Sequence, residues 1–391
     1  MEEKNSLDAF VKGKLDALEK RALRRVLVET ARGPAASAAR GERKLVSFCC
    51  NDYLNLSQSE RVKEAAKAAI DAYGVGSGAS RHITGNHPLY ARLEARLARL
   101  KETEDCVVFG SGYLANLGII SALVGAEDVI FADELSHSCL MMGARLSYAK
   151  THIFRHNDLE HLAALLEKHR KDGRHAMILT DGVFSMDGDL APVQDMAALA
   201  RRHEAWLMTD DAHGIGVVAD GKGSSFVGGS KADVPLQMGT LSKAVGGYGG
   251  YLCASRAVCD FIRTRARTLI YTTGLPPATI AAAIAAIDII ESDGDLTRRP
   301  VEKAKRFTRA LNLPDPESPI VPVLLGDAQV TLEASKMLEA EGFLVTGIRP
   351  PTVPEGTARL RITFTAEHED ADIDRLAAII RERIMPRKAA E

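Results

Sequence analysis

No stretch of this sequence approaches the roughly 18 apolar residues that a membrane-spanning helix needs. The nearest, the alanine-rich run 281–290, is too short and reads as a buried helix. Neither charge sign is in excess: 50 Lys and Arg stand against 52 Asp and Glu, a formal net charge of -2. No broad basic field is therefore available to hold nucleic acid. The six cysteines (Cys49, Cys50, Cys106, Cys139, Cys253 and Cys259) form no CxxC pair and read as free thiols in or near a core, which suits a reducing cytoplasm. The eleven histidines form neither HExxH nor a metal-like cluster with cysteine, so no metal site is expected. His152 and His156, flanking a strand end, read as polar surface or hinge residues. The N-terminus lacks the apolar core of a secretory signal and carries acidic residues that a transit peptide avoids. Gly74, Gly76 and Gly78 follow a helical segment, whereas a dinucleotide fingerprint requires a strand before its glycines.

What is present is a chain of 391 residues, 46% hydrophobic, long enough for one large and one smaller domain. Residues 5–30 carry an amphipathic helical pattern, 32–44 are a link of small residues, and 44–49 are strand-like. The expected division is an N-terminal helical arm with a short strand over 1–50, a large domain over 51–288 and a small α+β domain over 289–391. Strands are expected at 106–109, 128–131, 152–154, 176–180, 205–209, 236–239 and 250–254, with helices at 60–73, 88–101, 158–171 and 193–205. Short apolar strands alternating with helices predict an α/β fold, a mostly parallel sheet covered on both faces. Further strands are expected at 320–326, 342–348 and 358–365, helices at 332–341 and 371–384, and a loose tail at 385–391.

Ligands bind outside the carboxyl ends of such strands. Five polar clusters sit there: FGSGY, DELSH, TDGVFSMDGD, TDDAHG and GTLSK. Lys243, in GTLSKAVGGYGG, is flanked by small residues that would let it reach into a cleft. By itself that also describes a surface lysine, but Asp210 and His213 end another strand upstream. A lysine for a Schiff base and a carboxylate to keep a pyridine nitrogen protonated are what pyridoxal phosphate (PLP) requires. If the strand ends at Asp210, that side chain faces the ring and Asp211 points away. His213 is a candidate donor to the ring oxygen. Ser111, Gly112 and Tyr113 open a helix and suit an anion cradle, to which Thr240 and Ser242 add hydroxyls.

Together these motifs resemble the α-oxoamine synthases, a family of fold-type I PLP transferases. The resemblance runs from about Leu45 to His368 and is carried by NDYL (51–54), GSGASR (76–81), TGNHPLY (84–90), FGSGYLAN (109–116), DELSH (133–137), VFSMDGDLAP (183–192), DDAHGIG (210–216), GTLSKAVGGYGG (239–250), YTTGLPP (271–277) and PTVPEGTARLRITFTAEH (351–368). It implies that Lys243 binds the cofactor and later moves a proton, that Asp210 pairs with the pyridine nitrogen and His213 with the ring oxygen. It further implies that His137 stacks on the ring, that Ser185 contacts the ring oxygen, and that Gly112, Tyr113, Thr240 and Ser242 lie on the phosphate side. Thr272 and Thr273 would reach the phosphate of a second subunit, which implies a homodimer with shared sites. Arg361, with Asn51 assisting, would hold an amino-acid carboxylate; from bare chemistry it is only a strand arginine two residues from Arg359.

The implied reaction is a decarboxylative condensation of an amino acid with an acyl thioester on CoA or an acyl carrier protein. The phrases SRHITGNHPLY, VFSMDGD and TVPEGTARLRIT are most similar to the alanine-using, pimeloyl-accepting branch; branches using glycine or serine with another acyl-CoA are the alternative. Asn55, where the family more often has glycine, and the pair Cys49-Cys50 depart from its pattern near the expected carboxylate site.

Overall fold

The computed structural model describes residues 6–21 and 23–385. Of the expected tail, 386–391 lie outside the described residues. Helix α1 (Leu7–Lys20) starts at Ser6, whose hydroxyl accepts the Ala9 N–H at 3.1 Å. The helical pattern expected over 5–30 stops there, and 23–30 form no regular element. The supposed link is instead the meander β1 (Ala31–Arg32), β2 (Ser37–Arg40) and β3 (Arg43–Ser47). Its alanines show no apolar–polar alternation, so the sequence carried no strand signal there.

Helices α2 (Glu60–Tyr73) and α3 (Leu89–Leu100) lead into strands β4 (Asp105–Phe109), β5 (Val129–Asp133), β6 (Lys150–Phe154), β7 (Ala176–Asp181), β8 (Trp206–Asp210), β9 (Leu236–Thr240) and β10 (Gly250–Ala254). They form a seven-stranded sheet in the order β4-β10-β9-β8-β7-β5-β6, parallel except for β10, which runs against β4 and β9. Alternate residues of β4 enter different cores: Val107 and Phe109 one, Cys106 and Val108 the other. The first core is closed by α4 (Gly112–Leu123), α5 (Ser138–Ser147) and α8 (Arg256–Arg265), the second by α2, α3 and α10 (Pro277–Ser292). Helices α6 (Leu159–His169) and α7 (Val193–Arg202) cover the β5–β7 side, and α9 (Arg267–Ile270) precedes α10. Apolar residues on both sides of the strands are what a sheet covered on both faces demands.

A cut at residue 288 would fall inside α10, which ends at Ser292. Beyond it lie α11 (Gly294–Ala310), β11 (Ile320–Gly326), α12 (Ala328–Ala340), β12 (Phe343–Leu344), β13 (Thr346–Ile348), β14 (Ala358–Thr363) and α13 (Asp370–Arg383). The single strand expected over 342–348 is two: β12 pairs with β3, while β13 joins the sheet β11-β14-β13. The chain changes sheets at Val345, a choice of partner that local hydrophobicity does not encode. Phe48, after β3, packs in the C-terminal core against Phe343 and Phe364, so the N-terminal strands are bound to this smaller unit. Among the described residues no helix is long and apolar enough to cross a membrane.

Candidate active site

The carboxyl ends of β4, β7, β8 and β9 and the loop after β5 converge on a cavity of about 210 Å³, lined by Ser111, Gly112, Tyr113, His137, Cys139, Asp181, Asp210, Ala212, His213, Met238, Thr240, Ser242 and Lys243. Strand β8 ends at Asp210, whose side chain lines the cavity. Its two oxygens accept from Asn116 Nδ2 at 2.7 Å and the Ala212 N–H at 2.9 Å. Asp211 points away into a fully buried ion pair with Lys101 at 2.7 Å.

Lys243 sits in the turn between β9 and β10. That turn needs glycine at Gly246: its φ is 72°, and a Cβ there would lie 2.4 Å from the Ser57 nitrogen. Lys243 Nζ lies 2.6 Å from His213 Nε2, and His213 Nδ1 lies 2.6 Å from the Tyr53 hydroxyl. Burial, partly opposed by Asp210 and reinforced by Arg361, lowers the Lys243 ammonium to about 8. Burial, with Lys243 and Arg361 nearby, also pushes the His213 imidazolium well below its ordinary value. Tyr53, pushed up to about 12 by burial, keeps its phenolic proton. The single Tyr53 proton goes to Asn51 Oδ1, so its oxygen accepts from His213 Nδ1–H and Nε2 is left to accept from the Lys243 ammonium; the tautomer is assigned from these partners.

On the other side, the Ser111 hydroxyl caps α4 by accepting the Leu114 N–H at 3.2 Å. A Cβ on Gly112 would meet Met238 and Thr240 at 3.3 and 3.4 Å, so glycine keeps this helix start open. The Thr240 hydroxyl donates to the Gly249 carbonyl at 2.7 Å and stands 3.1 Å from that of Ser242. The N-terminus of α4 and these hydroxyls make an anion-binding end.

Arg361 lies on β14 and is buried at 6% exposure, as is Arg359 at 4%. Its Nη1 donates to Asn51 Oδ1 at 3.1 Å and its Nε to the Ser185 carbonyl, while Nη2 is buried without a partner. Asn51 Oδ1 also accepts from the Tyr53 hydroxyl at 3.3 Å, so Arg361, Asn51, Tyr53, His213 and Lys243 form one chain of contacts. Arg359 is tied elsewhere, to Asp187 and the Met186 carbonyl.

Three groups of expected residues are not on the cavity wall: Arg361 and Asn51 connect to it through Tyr53 and His213. Ser185 enters through its carbonyl to Arg361. Thr272 and Thr273 are off it too: the Thr272 methyl lies 3.6 Å from where a Cβ on Gly110 would stand, and Thr273 is bridged to Ser80 and exposed. The structure adds Asn116, Cys139, Asp181 and Tyr53. Asp181 lies beside Asp210 across β7 and β8, accepts the His137 N–H at 2.8 Å, and is pushed well up by burial and by Asp210. Asn116 and Tyr53 stand inside the motifs FGSGYLAN and NDYL, but only the fold turns them toward Asp210 and His213.

Two other clusters lack such convergence. His152, His169 and Asp172 bring potential ligand atoms within 4.8 Å of one another. The imidazoles stack at 4.0 Å with planes 16° apart, so their in-plane lone pairs run side by side, and Lys150 binds Asp172 at 3.0 Å. A larger cavity of about 660 Å³ between the 217–229 loop and α11 is lined by charges of mixed sign, among them Lys222, Arg298, Asp220 and Glu302.

The model of the aminotransferase class I and II family matches residues 43–380. A protein of Parvibaculum lavamentivorans named putative 8-amino-7-oxononanoate synthase is 69% identical over 387 residues, covering 99% of this chain and all of that one. The chain belongs to the α-oxoamine synthase family of fold-type I PLP enzymes. A serine palmitoyltransferase of S. paucimobilis, solved with PLP and myriocin bound, superposes with a TM-score of 0.89 at 27% identity, over 97% of this chain and 98% of that one. An 8-amino-7-oxononanoate synthase of Francisella tularensis gives 0.75 at 27% identity, over 88% and 98%. As an α-oxoamine synthase the protein is a PLP enzyme and condenses an amino acid with an acyl-CoA. The cavity fits that cofactor: a lowered-pKa lysine, a buried carboxylate and an anion-binding helix start line one space.

Proposed function

We propose that the protein joins L-alanine to a pimeloyl thioester, on CoA or an acyl carrier protein, giving 8-amino-7-oxononanoate, CO2 and the free thiol in biotin synthesis. The carrying observation is the buried Arg361 guanidinium with Nη2 free, in the same chain of contacts as Lys243. The choice of L-alanine and the pimeloyl group is supported by the name of the relative at 69% identity.

In this reading Lys243 holds the cofactor aldehyde, Asp210 the pyridine nitrogen and His213 the ring oxygen, with His137 on the ring face and Ser185 near the ring oxygen. Ser111, Gly112, Tyr113, Thr240 and Ser242 hold the phosphate. When bound, PLP supplies an electron sink for negative charge at the amino acid's α-carbon. Arg361, steadied by Asn51, takes the substrate carboxylate on Nη2. Lys243, freed, removes the α-proton; a pKa near 8 leaves an appreciable fraction as free amine at neutral pH. His213, whose Nε2 stands 2.6 Å from Nζ, orients that nitrogen, and Lys243 returns a proton to the same carbon after CO2 departs. Thr272 and Thr273, off the cavity wall of their own chain, serve the site of a second subunit, so the working unit is a homodimer. The six free cysteines suit a cytoplasmic location.

The test is thiol and CO2 release by PLP-loaded protein given pimeloyl-CoA with L-alanine or glycine. Turnover with L-alanine alone, yielding 8-amino-7-oxononanoate, is the expected result. Turnover with glycine instead, or only with a shorter acyl-CoA, sinks the substrate assignment and leaves the reaction class standing.

A further inference from the structure

His156 follows β6 and is outside the cavity wall, yet both its ring nitrogens are committed. Nδ1 lies 3.1 Å from Asp133 Oδ1 and Nε2 2.7 Å from Asp189 Oδ2. Asp133 is fully buried at the end of β5, and Asp189 closes the turn 184–189, in which the Gly188 N–H donates to the Phe184 carbonyl at 2.8 Å. The imidazole edge also meets the Phe184 ring at 4.3 Å. Burial alone would lower the His156 pKa, but the two carboxylates outweigh it and lift it to about 10. The residue is thus an imidazolium between two anions, and both its bonds are charge-assisted.

The turn it grips does two things for β14. The Ser185 carbonyl accepts from Arg361, and Met186 and Asp187 accept from Arg359. Asp133 is held independently, by the Leu135 N–H at 2.8 Å and the Asn157 N–H at 2.8 Å. Asp189 has fewer ties, its remaining side-chain partner being Asn157 Nδ2 at 2.9 Å, with Oδ1 buried and unpaired. Loss of His156 would therefore loosen the turn more than the β5 end. It would also leave two buried or half-buried carboxylates facing each other.

We propose that His156 is a positioning residue: by bridging Asp133 and Asp189 it fixes the 184–189 turn, and through the Ser185 carbonyl the guanidinium of Arg361. The inference rests on the reading of Arg361 as the carboxylate anchor. Of the residues read as holding the cofactor only Ser185 is in this turn, while Lys243, Asp210 and the phosphate-side donors are not, so the effect falls chiefly on amino-acid binding.

The experiment uses full-length, PLP-loaded protein and three variants, His156→Gln, Asp189→Asn and Arg361→Lys. L-alanine binding is read from the absorbance of the bound cofactor, and KM and kcat from thiol release. His156→Gln and Asp189→Asn are expected to raise the L-alanine Kd and KM about tenfold, as loss of a charge-assisted bond would. Cofactor absorbance should be retained and kcat should fall far less. A lower melting temperature with L-alanine Kd unchanged in both variants overturns the proposal. So does failure of both to fold, because His156 would then be part of the scaffold alone. Arg361→Lys separates the two ideas: if it leaves L-alanine binding intact, the anchor itself is misassigned. If it weakens binding while His156→Gln and Asp189→Asn do not, only the positioning role fails.

Discussion

The ammonium of Lys243 is held near 8 by burial in a site that also contains a buried guanidinium, and on the proposed reading of Lys243 as the cofactor anchor this sets a pH window for cofactor capture. A lysine normally titrates near 10.5. Because the folded-state value is depressed, the buried ammonium costs stability fully below about 8, and the cost disappears as pH rises from 8 toward 10.5. The free amine that attacks an aldehyde follows the same curve. Adding PLP to cofactor-free protein should give Schiff-base absorbance at a rate rising with pH to a midpoint near 8. A midpoint near 10 would contradict the burial of this side chain. Lys243→Ala should lose that absorbance altogether. The sequence pointed to Lys243, Asp210 and His213 because their chemistry is distinctive and they follow predicted strands. Tyr53, Asn116 and Asp181 were not given roles because a phenol, an amide and one more carboxylate acquire meaning only from their partners. For the same reason Arg359 and Arg361 looked alike until Asp187 claimed one of them and left Nη2 of the other free.

Behind the carboxyl end of β8, one ion pair joins elements that are distant in sequence. Lys101, just past α3, donates to Asp211 at 2.7 Å and to the Lys222 carbonyl at 2.5 Å, with both ionised side chains fully buried. Asp211 also accepts the Ser224 N–H at 3.0 Å. The surrounding backbone is built close around it: a Cβ on Gly223, at φ 96°, would fall 1.7 Å from Asp211 Oδ2. Removing one partner of such a pair strands the other charge without water, at a cost of about 3–5 kcal/mol. Lys101→Ala should therefore lower the free energy of urea unfolding by that amount. Replacing the pair together, as Lys101→Met with Asp211→Asn, should restore much of it. If Lys101→Ala unfolds at the wild-type urea midpoint, the pair does not anchor the 210–224 segment. Most strands of the large sheet were legible because each is a short, nearly continuous apolar run. The β1–β2 hairpin and the break between β12 and β13 were not, since small residues lack periodicity and strand partners are chosen by tertiary packing.

At the scale of the whole molecule, the cavity gathers groups from the ends of β4 to β9, and Arg361 of β14 joins them through Asn51, Tyr53 and His213, so the smaller unit contributes to the site. Thr272 and Thr273, read as phosphate-side residues, are off the cavity wall of their own chain. A two-fold dimer would place each such pair in its partner's cavity, since an isologous interface repeats every contact twice. Complementation between two damaged proteins tests this. Lys243→Ala removes the cofactor anchor from its own cavity, and a Thr272→Ala/Thr273→Ala double variant impairs the cavity of its partner. Each homodimer alone should have little activity, the first from the lost lysine and the second from weakened phosphate binding. In a mixed dimer, one cavity carries both defects and the other carries neither. Equal co-expression with random pairing should make half of the dimers mixed, each with one intact site, so thiol release should recover to about a quarter of the wild-type level. If Thr272 and Thr273 act within their own chain, each mixed dimer has one site lacking Lys243 and one lacking both threonines. The mixture then stays at the average of the two parents, and the shared-site arrangement is wrong whatever the oligomeric state.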